Sequence, residues 1–85
     1  MNRDEIKKKV LKTLEDSFPS NDISEISETD LFREHLELDS FGLMNLVVSL
    51  SRKFSIPFNP MDIERMKNVE SIIVLIAEKL DQKPK

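Results

Sequence analysis

The stretch that most limits what this chain can become runs from Phe41 to Phe54. No residue from Phe41 to Ser51 is charged, and Phe41, Leu43, Met44, Leu46, Val47, Val48 and Leu50 are apolar. On a 3.6-residue period these side chains occupy more than one face, an arc too wide for a single core stripe. Such a helix sits among several neighbours, and one edge of its arc is expected to stay available to a partner or an attached group. Its start is equally well marked. Asp39 is an N-cap residue by chemistry, able to accept from a free amide of the first turn. Ser40 then takes the first helical position, at the positive end of the dipole, where a phosphate group is favoured.

The flanking sequence supplies the neighbours. Ile6, Val10, Leu14 and Phe18 recur at four-residue steps with Leu11 beside them, the stripe of an amphipathic helix. Asp4 and Glu5 suit its first turn. Lys7, Lys8, Lys9 and Lys12 form a solvated face, nearly balanced by Asp4, Glu5, Glu15 and Asp16. Pro19 and Ser20-Asn21-Asp22 end this helix. Residues 19 to about 38 form a long connection, a length that is often functional. Ile23, Ile26, Leu31, Phe32, Leu36 and Leu38 are expected to pin it, and Thr29 or Asp30 to cap a helical turn carrying Leu31 and Phe32. After Phe54, the segment Ser55-Ile56-Pro57-Phe58-Asn59-Pro60 breaks the helix. Asn59 before Pro60 starts a short third helix, about Pro60 to Met66. Asn68 caps a last one, with Val69, Ile72, Ile73, Ile76 and Leu80 on its buried face. The fold class is therefore all-α: a small four-helix bundle with three longer helices, a short third helix and a long loop between the first two. Residues 1–85 form one domain, with a core of about 4–80 and a frayed tail at 81–85.

Composition removes several functions. With no cysteine and one histidine, His35, there is no disulfide, thiolate or multi-histidine metal site. A serine hydrolase needs a base and an orienting acid; His35 is the only candidate base, no glycine-rich oxyanion loop accompanies it, and it is taken as a solvated loop residue. No apolar run approaches the roughly 20 residues that cross a bilayer, and the N-terminus leads into charges and not a signal core. A cytoplasmic monomer without membrane insertion is expected. Net charge is −3. Between Asp22 and Asp39 seven acidic residues face one basic residue, Arg33. Such a block repels nucleic acid and attracts a basic protein surface, or is simply a solvated loop.

The run Leu36-Glu37-Leu38-Asp39-Ser40-Phe41 resembles the attachment site of acyl carrier proteins. In that family the serine of an Asp-Ser-(Leu or Phe) motif carries 4′-phosphopantetheine through a phosphodiester. Order and spacing are similar without a gap from about Leu31 to Ile76, whereas the first 20 residues share only an amphipathic helix. The resemblance implies a non-catalytic carrier. A phosphopantetheinyl transferase (holo-ACP synthase), using Mg²⁺, would move the group from coenzyme A to Ser40, with Asp39 positioning the serine or the metal. The arm's thiol would then hold acyl groups as thioesters for acyl-transferring and condensing enzymes.

By the same resemblance an acyl chain could fold back among Phe32, Leu43, Leu46, Leu50, Phe58, Ile63 and Ile72. Leu43 and Ile72 are bulky there and would leave little room for a long chain. Typical fatty-acid carriers present carboxylates along the second helix; here Asn45, Ser51, Arg52 and Lys53 stand instead. A basic enzyme patch would meet like charge at Arg52 and Lys53. The acidic partner surface left is Glu34, Glu37 and Asp39, with Asp62 and Glu64 on the third helix. A dedicated partner set is expected, in a specialised fatty-acid, polyketide or related lipid pathway. Two alternatives stand beside it: an aminoacyl or peptidyl carrier, and an unmodified helical interaction module in which Asp39 is only a cap.

Overall fold

The computed structural model describes the backbone at 2–19, 23–35 and 39–82, and the side chains of these residues except 24, 35, 40 and 82. Helix α1 spans Arg3–Ser17. Asn2 caps it, its side-chain oxygen accepting the Glu5 amide at 2.9 Å, with Asp4 and Glu5 in the first turn. It ends where the Phe18 amide donates to the Leu14 carbonyl, ahead of Pro19. Ile6, Val10 and Leu14 are buried, as their spacing requires, while Leu11 and Phe18 pack at the core's edge. Thr13 is buried as well; its hydroxyl donates to the Lys9 carbonyl at 2.7 Å and is thereby satisfied.

The connection that follows is not structureless. It makes a 3₁₀ turn at Ile23–Glu25 and a single helical turn, α2, at Phe32–His35. Ile23 and Phe32 are buried, and Ile26 is partly so. Asp30 accepts the Ser27 amide at 2.8 Å, closing a turn before Leu31. His35 closes α2 instead of lying in a loop. Leu36, Glu37 and Leu38 lie outside the described residues.

Two backbone bonds fasten this connection to the far end of the chain: Phe32 N–H to the Lys67 carbonyl (2.9 Å) and Glu70 N–H to the Glu28 carbonyl (3.0 Å). Glu28 also ties it to α1, pairing with Arg3 and with Lys7 at 2.9 Å. Hydrogen bonds from Arg3, then Lys7, hold its carboxyl at about 2.

Helix α3 spans Ser40–Phe54. Leu46, Val47, Leu50 and Phe54 are buried and Leu43 is half-buried, while Phe41, Met44 and Val48 are exposed. The wide apolar arc is thus divided between core and solvent. The helix ends at Ser55, in the left-handed region at φ 54°. Helix α4 spans Pro60–Arg65 behind a capping box: Asn59 and Asp62 each accept the other's amide, at 2.9 and 3.0 Å. It stops one residue short of Met66, whose amide turns back to the Ile63 carbonyl. Helix α5 spans Val69–Gln82, with the Asn68 side chain accepting the Ser71 amide at 2.8 Å. Asp81 and Gln82, expected in a frayed tail, continue this helix.

Helix α1 packs on both α3 and α5, and α4 packs on α5. Val69, Ile72, Ile73 and Ile76 are buried together with Leu75, while Leu80 is partly covered. No strand occurs among the described residues. The result is the expected small all-helical bundle, with α2 as a fifth, one-turn helix inside the long connection.

Candidate functional site

Asp39 is extended (φ −93°, ψ −175°) and exposed, and its Oδ1 accepts the Gly42 amide at 2.8 Å. Its carbonyl accepts the Leu43 amide, so the helix begins at Ser40. The first turn of α3 holds no acidic side chain, while Arg52 and Lys53 occupy the last turn. The dipole is therefore complemented at its C-terminal end and open to an anion where Ser40 stands.

One turn along from Ser40, Leu43 reaches a cavity of about 450 Å³. Among the described residues it is lined by Leu31, Phe32, Arg33, Glu34, Leu43, Met66 and Lys67. Its walls come from the connection, α3 and the α4–α5 link, which the Phe32–Lys67 backbone bond holds together. Leu31, Phe32, Leu43 and Met66 make the apolar wall; Arg33, Glu34 and Lys67 add charge. Glu34 offsets part of the charge of Arg33 and Lys67, and the apolar wall fits an uncharged chain. Among the described residues no group of three or more histidine, aspartate or glutamate side chains could hold a metal.

The residues expected to line an acyl pocket are divided by the structure. Phe32 and Leu43 meet at this cavity. Leu46, Leu50 and Ile72 are fully buried in the core, and Phe58 and Ile63 pack against its margin. Leu31, Arg33, Met66 and Lys67 were not anticipated. Arg33, the one cation in an acidic stretch, was the available signal; Met66 and Lys67 arrive only through folding.

Of the expected partner surface, Glu34, Asn45, Arg52, Lys53 and Glu64 are exposed, and Glu37 lies outside the described residues. Asp62 requires a correction, being only 8% exposed. Its carboxylate is used to cap α4 and to pair with Lys79 at 2.7 Å. Burial pushes this carboxyl up, but the Asn59 amide and then Lys79 outweigh it and leave it below its ordinary value. Lys79 also stands 5.7 Å from the centre of the Phe58 ring, and Arg65 pairs with Glu78 at 3.0 Å. Helices α4 and α5 are thus pinned together by charge.

Comparison with known proteins gives this arrangement a family. The family model for the phosphopantetheine attachment site matches residues 6–76. The acyl carrier protein of Petrotoga mobilis is 30% identical over 81 residues, covering 95% of this chain and 94% of that protein. The polyketide-8 synthase acyl carrier protein 1 of Streptomyces avermitilis is 30% identical over 57 residues, covering 67% and 68%. A solved acyl carrier protein from Enterococcus faecalis has the same fold, with a TM-score of 0.75 at 23% identity over 93% of this chain and 99% of that one. The chain belongs to the acyl carrier protein family, whose phosphopantetheine-binding domain carries a covalently attached 4′-phosphopantetheine. Both of these curated relatives are acyl carrier proteins, one of them of a polyketide synthase. No helix among the described residues is long and apolar enough to cross a membrane.

Proposed function

We propose that Ser40 is the attachment point of the phosphopantetheine arm, and that the protein presents acyl groups to enzymes of a specialised fatty-acid, polyketide or related lipid pathway. The observation that carries this is the start of α3: Ser40 occupies the first helical position directly behind an N-cap carboxylate, with no acid in the turn that follows. When bound, the arm supplies a thiol that holds acyl groups as thioesters. The protein contributes the rest. The first turn of α3 offers an anion-favouring dipole, Leu43 leads from it to the cavity that Arg33, Glu34 and Lys67 also line, and Asp39 orients the serine during loading. The partners are a phosphopantetheinyl transferase and then acyl-transferring and condensing enzymes, met by a cytoplasmic monomer. The polyketide carrier among the relatives supports the specialised-pathway part. So does the exposed pair Arg52 and Lys53, which meets a basic enzyme face with like charge.

Intact-protein mass spectrometry tests the attachment. The protein is incubated with coenzyme A, Mg²⁺ and a broad-specificity phosphopantetheinyl transferase, with Ser40→Ala as control. One added phosphopantetheine, absent from the folded control, is the expected result. No addition across several transferases, or addition to the control, would refute it.

A further inference from the structure

The attachment chemistry leaves one side of α3 unused. Phe41 is 82% exposed, and Met44 and Val48 are each 47% exposed. Their spacing places them in one stripe along the helix, opposite the buried set of Leu46, Leu50 and Phe54. The stripe runs from beside Ser40 to the last turn, where Arg52 and Lys53 stand exposed. Among the described residues neither makes an ion pair. Alongside, a groove of about 620 Å³ opens between α1 and α3, lined by Ser17, Asn45 and Ser49 as well as by Val48 and the two cations. Its one carboxylate, Asp16, pairs with Lys12 at 3.4 Å. Lys9 sits 5.6 Å from the centre of the Phe54 ring, bringing α1's positive charge to the same end of α3. A chain of net charge −3 thus carries a locally positive end on an apolar stripe.

We infer that this face docks a partner protein presenting apolar side chains within an acidic rim: apolar groups on Phe41, Met44 and Val48, carboxylates on Arg52 and Lys53. Charge complementarity sets the orientation and suppresses partners with basic faces. A protein suits the face better than an anionic bilayer does. The overall negative charge repels such a bilayer, and the groove's hydroxyl and amide side chains offer hydrogen bonds to a partner's side chains. The inference rests on the carrier proposal only for what the partner does with the arm; the surface itself does not depend on loading.

The test uses ¹⁵N-labelled unmodified protein and two synthetic amphipathic helical peptides. Both carry the same leucine and phenylalanine stripe; one is flanked by glutamates and the other by lysines. The glutamate peptide is expected to shift amides of 41–53 and 13–17. It should bind about tenfold or more tighter than the lysine peptide at low salt, losing that advantage as salt is raised. The double variant R52E/K53E should reverse the preference, and Phe41→Ser should weaken both peptides; each variant changes exposed residues, and circular dichroism checks its fold. Equal binding of the two peptides, no binding of either, or shifts confined to another face would overturn the inference. So would binding to phosphatidylglycerol vesicles without peptide binding, which would assign the face to a bilayer. Because Ser40→Ala protein serves equally well, failure here leaves the mass-spectrometric result standing, and the converse holds.

Discussion

Asp39 serves the helix through one oxygen that accepts the Gly42 amide. An N-cap of this kind contributes about 1 kcal/mol. Asp39→Ala should therefore lower the melting temperature by about 4–8 °C in a domain of this size. Asp39→Asn keeps a capping oxygen and should melt close to the parent. If the carboxylate also orients Ser40, the Asn variant should still be loaded about tenfold more slowly or worse; equal loading by stopped-time mass spectrometry would reduce Asp39 to a cap. Glu28 acts through charge. Its carboxyl is lowered from 4.5 to about 2 by Arg3 and Lys7. A depressed value in the fold means the unfolded chain takes up the proton first as pH falls. The contribution is thus complete above about 4.5 and fades down to about 2. Arg3 is exposed and Lys7 partly so, and solvent screening keeps this contribution small. Thermal melts between those pH values should show the parent losing more stability than Glu28→Gln; parallel curves would contradict the pairing. Asp39 and Ser40 were legible in the sequence because capping is local. The Glu28 pairing was not, because Arg3 lies 25 residues away.

Helices show the same division between local and distant causes. The start of α4 was readable from Asn59-Pro60 and that of α5 from Asn68, since each cap acts within three residues. The bounds of α3 followed from Asp39 and from the Ser55–Pro57 break. What eluded sequence patterning was Asp62, an acidic residue on a short helix that reads as solvated. Lys79, a full helix further on, is what draws it inward. Lys79→Ala would leave that mostly buried carboxylate without its charged partner, at a cost of about 1–3 kcal/mol. The urea midpoint should fall, and the amides of α4 should exchange faster than those of α1. An unchanged midpoint would show that the capping box alone satisfies Asp62. Leu75 and Thr13 were missed for a related reason. A helix flanked on two sides buries more than one stripe, and periodicity marks only the strongest.

For the whole molecule, the decisive fact is how completely the centre is filled. Leu46, Leu50 and Ile72 have no exposed surface, while the roomy cavity lies to one side, between the connection and the α4–α5 link. The family resemblance grouped Phe32 and Leu43 with these core residues as a single acyl lining. Only the packing separates a wall from a plug. Ile72→Ala should cost about 2–5 kcal/mol, a large share of the stability available to a domain this small. If the centre is closed to long chains, a long-chain acyl form of the parent should melt like a short-chain form. Ile72→Ala should instead regain stability when loaded with the long chain. A parent selectively stabilised by the long chain would show that its core opens.

The two backbone bonds from the connection to the α4–α5 region carry a consequence for time rather than strength. Phe32 and Lys67 are joined amide to carbonyl, and so are Glu70 and Glu28; Phe32 and Lys67 also line the cavity. The connection and the α4–α5 link can part there only when the Phe32–Lys67 bond breaks. A guest lodged there would thus leave at the pace of a local opening, not at the pace of its own diffusion. The amides of Phe32 and Glu70 should exchange with a shared rate, slowed together when the cavity is filled. Under the proposed carrier function, that rate would set how long an acyl group is withheld from the next enzyme.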